Sequence, residues 1–211
     1  MSTQPDGMVF IIDDDAPVRS ALGRLLRSVG YSFESFPSAR AFLSRSQPSG
    51  PSCLILDYRM PGLDGLELQG ALAAAGRDES IIFITGHGDI PTCANAMKAG
   101  AIDFLPKPFR DEDLLDAIAR SLKRSQVLWR EHTERTKIQT LVDQLTPRER
   151  EVMELVVAGK LNKQIAAELG ASEKTIKVHR GRVMQKMQVF SVAELVRLTE
   201  SLGIQPDRTK V

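Results

Sequence analysis

The chain has 211 residues, with 28 Lys and Arg against 27 Asp and Glu, a formal net charge of +1. That length allows one large domain or two small ones, and no apolar run approaches the roughly 20 residues of a membrane span. The N-terminus has no basic stretch followed by an apolar one, so we expect no secretory signal. Two cysteines, Cys53 and Cys93, each lie within an apolar pattern. They predict buried free thiols and a reducing, cytoplasmic location rather than disulfides or a zinc site.

The balanced net charge conceals an asymmetry along the chain. Residues 1–124 carry 13 Lys and Arg against 16 Asp and Glu, whereas residues 125–211 carry 15 against 11. Within 172–188 there are five basic residues and one acidic residue. An acidic first half with a locally basic second half indicates a metal or phosphate site followed by a unit that binds a polyanion.

The first 124 residues alternate short apolar runs with helical patterns, which is typical of a parallel sheet with helices on both faces. The fold class predicted for this domain is α/β, five-stranded, parallel and doubly wound. Its strands are expected near 8–12, 31–35, 52–56, 80–84 and 101–105. Its helices are expected near 16–29, 37–46, 64–75, 90–99 and 111–124. The stretch 125–144 is charged and lacks Gly and Pro, so we predict a helical linker that continues the fifth helix.

From residue 145 onward the pattern changes to helices alone, which predicts a small all-α domain over 145–211. Thr146, Pro147 and Glu149 match a capping box with proline at the first helical position. Ser172 and Ser191 are suitable N-caps for later helices. The four helices are expected near 147–158, 162–169, 173–187 and 192–202.

Polar side chains follow four of the predicted strands. Because the carboxyl ends of parallel strands meet at one edge of an open α/β sheet, where ligands bind, we expect these side chains to converge. In chain order they are Asp13, Asp14 and Asp15, then Asp57, then Thr85, then Lys107.

This set has the chemistry of a phosphoryl-transfer site. Asp57 is the candidate nucleophile, and Asp13 and Asp14 offer the hard oxygen ligands that suit Mg²⁺. Lys107 supplies a cation and Thr85 a hydroxyl for the phosphoryl oxygens. The alternative for the acidic triplet is a helix N-terminus, where carboxylates favour the helix dipole. The three further polar strand ends argue against that alternative.

Four segments in this order resemble bacterial two-component receiver domains: IDDD at 12–15, LDYRMPG at 56–62, ITGHG at 84–88 and FLPKPF at 104–109. The resemblance implies that Asp57 receives a phosphoryl group from a sensor histidine kinase. It also implies that Asp14, Asp57 and the Arg59 carbonyl bind Mg²⁺, with Asp13 nearby through water. In that family the peptide before Pro108 is usually cis.

The resemblance also implies a switch at two positions. Thr85 moves toward the phosphoryl group, and the aromatic ring at Phe104 turns inward into the space released. Read without the family, Phe104 is equally a buried core residue. Arg59 and His87 occupy positions that tune the lifetime of the acyl phosphate in the family. His87 is a poor candidate for a metal ligand, because the site already has enough oxygen ligands.

Residues 161–187 have the plan of a helix-turn-helix: a short helix, a turn containing Gly, and a longer basic helix that enters the major groove. Ile176, Val183 and Met187 share one face of the second helix and should point inward. The opposite face should meet the bases, the alternative being a solvated basic surface. It carries Lys174, Lys177, Val178, Gly181, Arg182 and Gln185.

The stretch 145–189 resembles the effector domain of the LuxR/NarL class, and the whole chain resembles a FixJ-type response regulator. By resemblance, Lys177 and Val178 read bases, whereas the residues that support or contact phosphates are Asn162, Lys163, Thr175 and His179. Gly181 departs from relatives that have a base-contacting Lys, a contact that Arg182 or Lys177 could replace. Arg180 is phased nearer the core and should extend to a phosphate.

The resemblance predicts a transcription regulator rather than an enzyme, with phosphotransfer and slow autodephosphorylation as its own reactions. Phosphorylation should change the face formed by 90–99, 101–105 and 111–124, which then releases the effector helices, dimerises, or both. A dimer matches a two-fold promoter site, and an activator would also contact RNA polymerase. Some residues on this face could contribute to the dimer contact, although they could equally belong to the core. They are Ile90, Ala94, Met97, Lys98, Ile102 and Leu105.

Two rival functions have specific sequence tests. An aspartyl-phosphate phosphatase would need a second acid two residues after the nucleophile, where this chain has Arg59. A receiver that no longer accepts phosphate would have lost part of the site, yet the nucleophile, both acids, the hydroxyl and the lysine are all present. A receiver without DNA output is excluded if 145–202 folds as expected.

Overall fold

The computed structural model describes residues 7–46, 48–77, 79–86 and 90–204, without the side chains of 90–93. The chain divides into two compact units, Met1–Arg130 and Glu131–Val211. Within the described ranges, no helix has the length and apolar character needed to cross a membrane.

The first unit is built on a five-stranded parallel sheet with the order β2-β1-β3-β4-β5. This confirms the predicted fold class, and it places β3 at the centre. The strands are β1 Met8–Ile12, β2 Ser32–Phe36, β3 Ser52–Asp57, β4 Ser80–Thr85 and β5 Asp103–Pro106. The helices are α1 Ala16–Ser28, α2 Ala39–Leu43, α3 Gly65–Ala74, α4 Ile90–Lys98 and α5 Asp111–Asp143.

Two strands begin later than the sequence predicted because their first residues belong to helix C-caps. Gly30 has φ +86°, and the Tyr31 N–H donates back to the Leu26 carbonyl at 3.0 Å. Gly100 has φ +95°, and the Ala101 N–H donates to the Ala96 carbonyl at 3.1 Å. Such left-handed caps satisfy the last helical carbonyls. The predicted helix over 37–46 was also too long, since only Ala39–Leu43 is helical.

Both faces of the sheet are covered, as parallel sheets require. Alternate residues of each strand enter opposite clusters: Phe10, Leu54 and Phe83 on one side, and Ile11, Ile55 and Ile82 on the other. Strands β3 and β4 are buried along their whole length. The buried thiol of Cys53 is free, as predicted, whereas the Cys93 side chain lies outside the described residues.

The second unit is helical, and its four later helices match the predicted ones closely. They are α6 Pro147–Val157, α7 Asn162–Glu168, α8 Glu173–Lys186 and α9 Val192–Glu200. The capping box of Thr146 and Glu149 is confirmed, and Ser172 and Ser191 cap α8 and α9 with their side chains. The stretch predicted as a helical linker is helical as far as Asp143, within an α5 of 33 residues.

Candidate functional site

The predicted polar strand ends meet at the carboxyl edge of the sheet. Asp57 is the last residue of β3, between Asp13 after β1 and Thr85 at the end of β4. All three are buried, with 8%, 1% and 1% of their surface exposed. These residues, distant in the sequence, lie close together because the strands are parallel and β3 lies between β1 and β4.

Lys107 connects the two buried acids. Its Nζ donates to Asp13 Oδ2 at 2.9 Å and to Asp57 Oδ1 at 3.4 Å. Its backbone N–H donates to the Thr85 carbonyl at 2.6 Å, which fixes the loop after β5 against the end of β4. The peptide between Lys107 and Pro108 is cis, as the resemblance implied. The shorter bond to Asp13 leaves Asp57 as the less tightly held acid.

The electrostatics of the site are those of crowded charges away from water. Burial raises the pKa of Asp57, and the neighbouring Asp13 and Asp14 carboxylates raise it further, while Lys107 opposes them. Burial lowers the pKa of Lys107, but its bonds to Asp13 and the charge of Asp57 outweigh burial and raise it overall. The Lys107 ammonium thus limits the rise in the Asp57 pKa that burial causes.

The acidic cluster has the donor chemistry of a divalent metal site. Carboxylate oxygens of Asp13, Asp14 and Asp57 all lie within 4.8 Å of one another, and Asp14 is exposed while the others are buried. Three hard oxygens with one open side suit Mg²⁺, which retains several waters. The helix-cap alternative is not supported, because Asp15 is the N-cap of α1 without a side-chain cap bond, and Asp13 bonds both Lys107 and the Asp15 N–H.

A glycine that the sequence analysis missed shapes this edge. A Cβ at Gly65, the first residue of α3, would lie 2.7 Å from the Asp57 carbonyl oxygen and 2.9 Å from the Phe83 ring. The helix can therefore start this close to the end of β3 only with glycine at that position. The signal in the sequence was the short spacing between Asp57 and the capping residue Asp64, which leaves little chain for the turn.

The predicted switch residue Phe104 lies in an aromatic group that the sequence did not reveal. Its ring centroid is 6.3 Å from that of Tyr58 and 6.2 Å from that of Phe83. Phe104 is only partly buried, whereas Thr85 is buried beside the site. The exposed Arg59 side chain lies in the turn after β3. His87, the other tuning position, lies outside the described residues.

The second unit contains the predicted helix-turn-helix in α7 and α8. Ile176, Val183 and Met187 are fully buried, which confirms the phase derived for α8. The turn between the helices contains Gly170 at φ +61°. Arg148 of α6 donates to the Leu169 carbonyl at 2.5 Å, so the turn is fixed to the rest of the unit.

The opposite face of α8 is open, as predicted. Val178 is 49% exposed although it is apolar. Lys163 on α7 is also exposed, whereas Asn162, His179 and Arg180 are partly buried. The exposed face of α8 comprises Lys174, Thr175, Lys177, Val178, Gly181, Arg182 and Gln185.

Three of the predicted phosphate contacts already have roles within the fold. Arg180 Nη1 donates to Asn162 Oδ1 at 2.9 Å, which connects α8 to the start of α7. The Thr175 hydroxyl is 2.9 Å from that of the capping Ser172. His179 Nδ1 is buried and has no hydrogen-bond partner among the described residues. The Arg180–Asn162 bond therefore positions the two helices, and Thr175 belongs to the cap of α8.

Comparisons with known families match both units. A family described as "Response regulator receiver domain" matches residues 9–119. A second, described as "Bacterial regulatory proteins, luxR family", matches residues 143–199.

Similar proteins extend over nearly the whole chain. Nodulation protein W of Bradyrhizobium diazoefficiens is 48% identical over 205 residues, which cover 96% of this chain and 89% of that protein. Transcriptional regulatory protein FixJ of Azorhizobium caulinodans is 43% identical over 198 residues, 94% of each chain. The solved structure of response regulator StyR superposes with a TM-score of 0.80 at 48% identity, covering 92% of this chain and 98% of that one.

Proposed function

The chain belongs to the two-component response regulators that join a receiver domain to a LuxR-type DNA-binding domain and regulate transcription, and we propose that phosphorylation of Asp57 controls its binding to promoter DNA. The observation that carries the proposal is the position of Asp57. It ends the central strand, bonds Lys107, and has the Asp13 and Asp14 carboxylates within 4.8 Å. A sensor histidine kinase is the proposed donor.

Asp57 is the proposed nucleophile for transfer from a phosphohistidine. One carboxylate oxygen attacks phosphorus as the phosphorus–nitrogen bond breaks, giving an acyl phosphate and a free imidazole. Mg²⁺, held by Asp13, Asp14, Asp57 and the Arg59 carbonyl, would screen the negative charge between the reacting groups. Lys107 and Thr85 donate to the phosphoryl oxygens. The weak 3.4 Å bond to Lys107 leaves the Asp57 oxygens available for attack.

The proposed switch links this site to α4 and β5. The new phosphoryl group draws the Thr85 hydroxyl toward it, and Phe104 turns into the space that Thr85 leaves. Tyr58 and Phe83, which contact the Phe104 ring edge-on or tilted, make this a rearrangement of packed rings. Such packed groups move between discrete arrangements rather than deforming continuously.

The domain boundaries that we propose are 1–124 for the receiver, 125–144 for a helical linker and 145–211 for the DNA-binding domain. On the receiver, α4, β5 and the part of α5 over 111–124 form the proposed dimer face, on which Met97 is 45% exposed and Lys98 is exposed. Ala94, Ile102 and Leu105 are partly buried there, and the Ile90 side chain lies outside the described residues. Two copies would present two helix-turn-helix units to a two-fold site, as an activator that also contacts RNA polymerase.

In the DNA-binding domain, Lys177 and Val178 are the proposed base contacts, because both are exposed at the middle of α8. Val178 can contact a thymine methyl group and Lys177 a guanine edge. Asn162 and Arg180 form a hydrogen-bonded pair and would contact a phosphate together. His179 would contact a phosphate through Nε2, because its Nδ1 is buried. The remaining proposed phosphate or groove contacts are Lys163, Lys174, Thr175 and Arg182.

Asp57→Asn tests the proposal in the full chain. Without an ionised nucleophile, acetyl phosphate should no longer produce a dimer, and affinity for a selected promoter fragment should not rise. Sedimentation and fluorescence anisotropy, with and without acetyl phosphate and Mg²⁺, measure both. Glu154→Gln is the control, since Glu154 is exposed on α6, outside the phosphoryl site, the proposed dimer face and the helix-turn-helix. It should behave like the parent chain.

The DNA arm of the same experiment uses Lys177→Ala. We expect a loss of about 1–3 kcal/mol of specific binding, with phosphate-dependent dimerisation intact. If Asp57→Asn dimerises and binds DNA in response to acetyl phosphate as the parent does, phosphorylation control through Asp57 is wrong.

A further inference from the structure

A cavity of about 510 Å³ lies at the edge of the sheet opposite Asp57. Its wall includes the start of β1 at Gly7 and Met8, the loop 48–51 that leads into β3, and the turn of α5 that carries Trp129 and Arg130. The volume falls within the range of small-molecule sites. The proposed phosphoryl chemistry uses none of these residues, so the cavity has no role in the function described above.

Arg45 is the more buried of the two arginines that line this cavity. Its guanidinium lies over the Phe10 ring, 4.2 Å from the centroid, and its side chain is 19% exposed. The Nε contacts the half-exposed Glu34 at 3.4 Å. The Nη1 is buried and has no hydrogen-bond partner among the described residues. A buried guanidinium donor without an acceptor is unfavourable, but Nη1 has no surface open to the cavity, so an anion would bind Arg45 through the part of its side chain that is exposed.

The rest of the lining supports the same ligand chemistry. Arg130 is exposed at the rim and adds a second positive charge, and none of the described lining residues is acidic. Trp129, 40% exposed, supplies an aromatic surface beside the two cations, and Met8 and Pro48 add apolar contact. Arg binds carboxylates with two parallel hydrogen bonds, and an indole ring packs against flat apolar groups.

We propose that this cavity binds a small organic anion: a carboxylate attached to a flat, apolar, preferably aromatic body. The carboxylate accepts hydrogen bonds from Arg45 and Arg130, and the ring packs against Trp129. The ligand would join α5 to the start of β1 and to the loop 48–51. It therefore stabilises the last turn of α5 within the first unit, immediately before the boundary at Arg130.

The only tryptophan of the chain lines the cavity, so its fluorescence reports occupancy directly. Benzoate titrated into the full-length protein should give a saturable change in Trp129 emission and raise the melting temperature, because it binds only the folded state. Arg45→Gln should weaken benzoate binding about tenfold or more, since a hydrogen bond to a charged group is lost. Arg130→Gln, at an exposed position that should not affect folding, should weaken it severalfold.

Four controls define the result. Arg40→Gln removes an exposed arginine of α2 outside the cavity and should bind benzoate like the parent. Benzyl alcohol and inorganic phosphate should each bind at least tenfold more weakly than benzoate. Benzyl alcohol lacks the carboxylate, and phosphate lacks the aromatic ring. The proposal is overturned if benzoate gives no saturable change, if phosphate alone binds as well, or if both cavity arginine variants bind as the parent does. Asp57→Asn should leave benzoate binding unchanged, which separates this site from the phosphoryl site.

Discussion

At the residue scale, the candidate phosphoryl site depends on one lysine shared unequally between two buried acids. Lys107 is 2.9 Å from Asp13 and 3.4 Å from Asp57. The stronger bond holds the ammonium in place, and the weaker one leaves the nucleophile free to react. Burial raises the pKa of Asp57, which also strengthens its basicity as an attacking group. Lys107, Asp13 and Asp57 together therefore set both the position and the reactivity of the Asp57 carboxylate.

A second ion pair with a buried acid, in the other unit, gives a stability prediction. Glu149 Oε2 accepts from Lys186 Nζ at 2.6 Å and from the Thr146 N–H at 2.9 Å. The bond to Lys186, and then that to Thr146, lowers the Glu149 pKa to about 2 from 4.5. The resulting stability is present above pH 4.5 and is lost as the pH falls through about 2.

Glu149→Gln should therefore destabilise the second unit by about 1–3 kcal/mol at neutral pH. A glutamine at position 149 can still accept a hydrogen bond from the Thr146 N–H. The lost stability therefore measures the ionic interaction with Lys186. The difference between variant and parent should shrink below pH 4 on the way to about pH 2, in urea unfolding of the full chain followed by helical circular dichroism. Glu154→Gln, at an exposed position of α6, is the control. A pH-independent difference would contradict this account.

At the element scale, the start of α3 is set by how closely it approaches β3. The Gly65 N–H donates to the Tyr58 carbonyl at 3.0 Å, and Asp64 with Glu67 forms a capping box directly before and within the first turn. The helix thus begins against the strand end that carries Asp57. Any side chain at position 65 would displace either the start of α3 or the end of β3.

Gly65→Ala and Gly70→Ala form a matched pair within α3. At Gly65 the added methyl meets backbone at 2.7 Å, so we expect about 1–3 kcal/mol of destabilisation and slower phosphorylation by acetyl phosphate. At Gly70 nothing lies within 4 Å, so alanine should be neutral or stabilise the helix by about 0.5–1 kcal/mol. Thermal unfolding and phosphorylation rates measure both variants. Equal effects at the two sites would show that the close approach is unimportant.

At the scale of the whole molecule, α5 is the element that belongs to both units. It runs from Asp111 to Asp143, across the division after Arg130. Ile118 and Leu122 pack into the receiver core, and Val142 packs into the core of the second unit. A helix anchored at both ends can transmit a twist or shift that a flexible linker would absorb. We therefore expect the response to phosphorylation to depend on its continuity.

Glu134→Pro tests this expectation at an exposed position of α5. Proline removes a helical hydrogen bond and kinks the helix, at a local cost of about 3 kcal/mol. Both units should still fold, but acetyl phosphate should change DNA affinity less than in the parent. Glu134→Ala keeps the helix and loses only a weak contact to Lys137 at 3.8 Å, so its response should match the parent. An unchanged response in the proline variant would exclude a role for helix continuity.

Part of each candidate site follows from a local rule, whereas the DNA contacts and the full set of magnesium ligands came from the family resemblance. Asp57, Thr85 and Lys107 were found because they come directly after apolar strands, and parallel strands bring such positions to one edge. The inward face of α8 followed from helical periodicity through Ile176, Val183 and Met187. Both rules use nearby residues to place a side chain within its own strand or helix, and the order of the strands in the sheet then brings the strand ends together.

Other features depend on contacts between distant parts of the chain, and only the tertiary structure determined them. The Tyr58–Phe83–Phe104 group joins three separate segments, and the Arg180–Asn162 bond joins two predicted phosphate contacts from different helices. Arg45 and Trp129, 84 positions apart in the chain, line one cavity because the segment after α2 and the end of α5 in the first unit both lie beside the start of β1. Periodicity predicts which way a side chain points. Packing decides what it meets there.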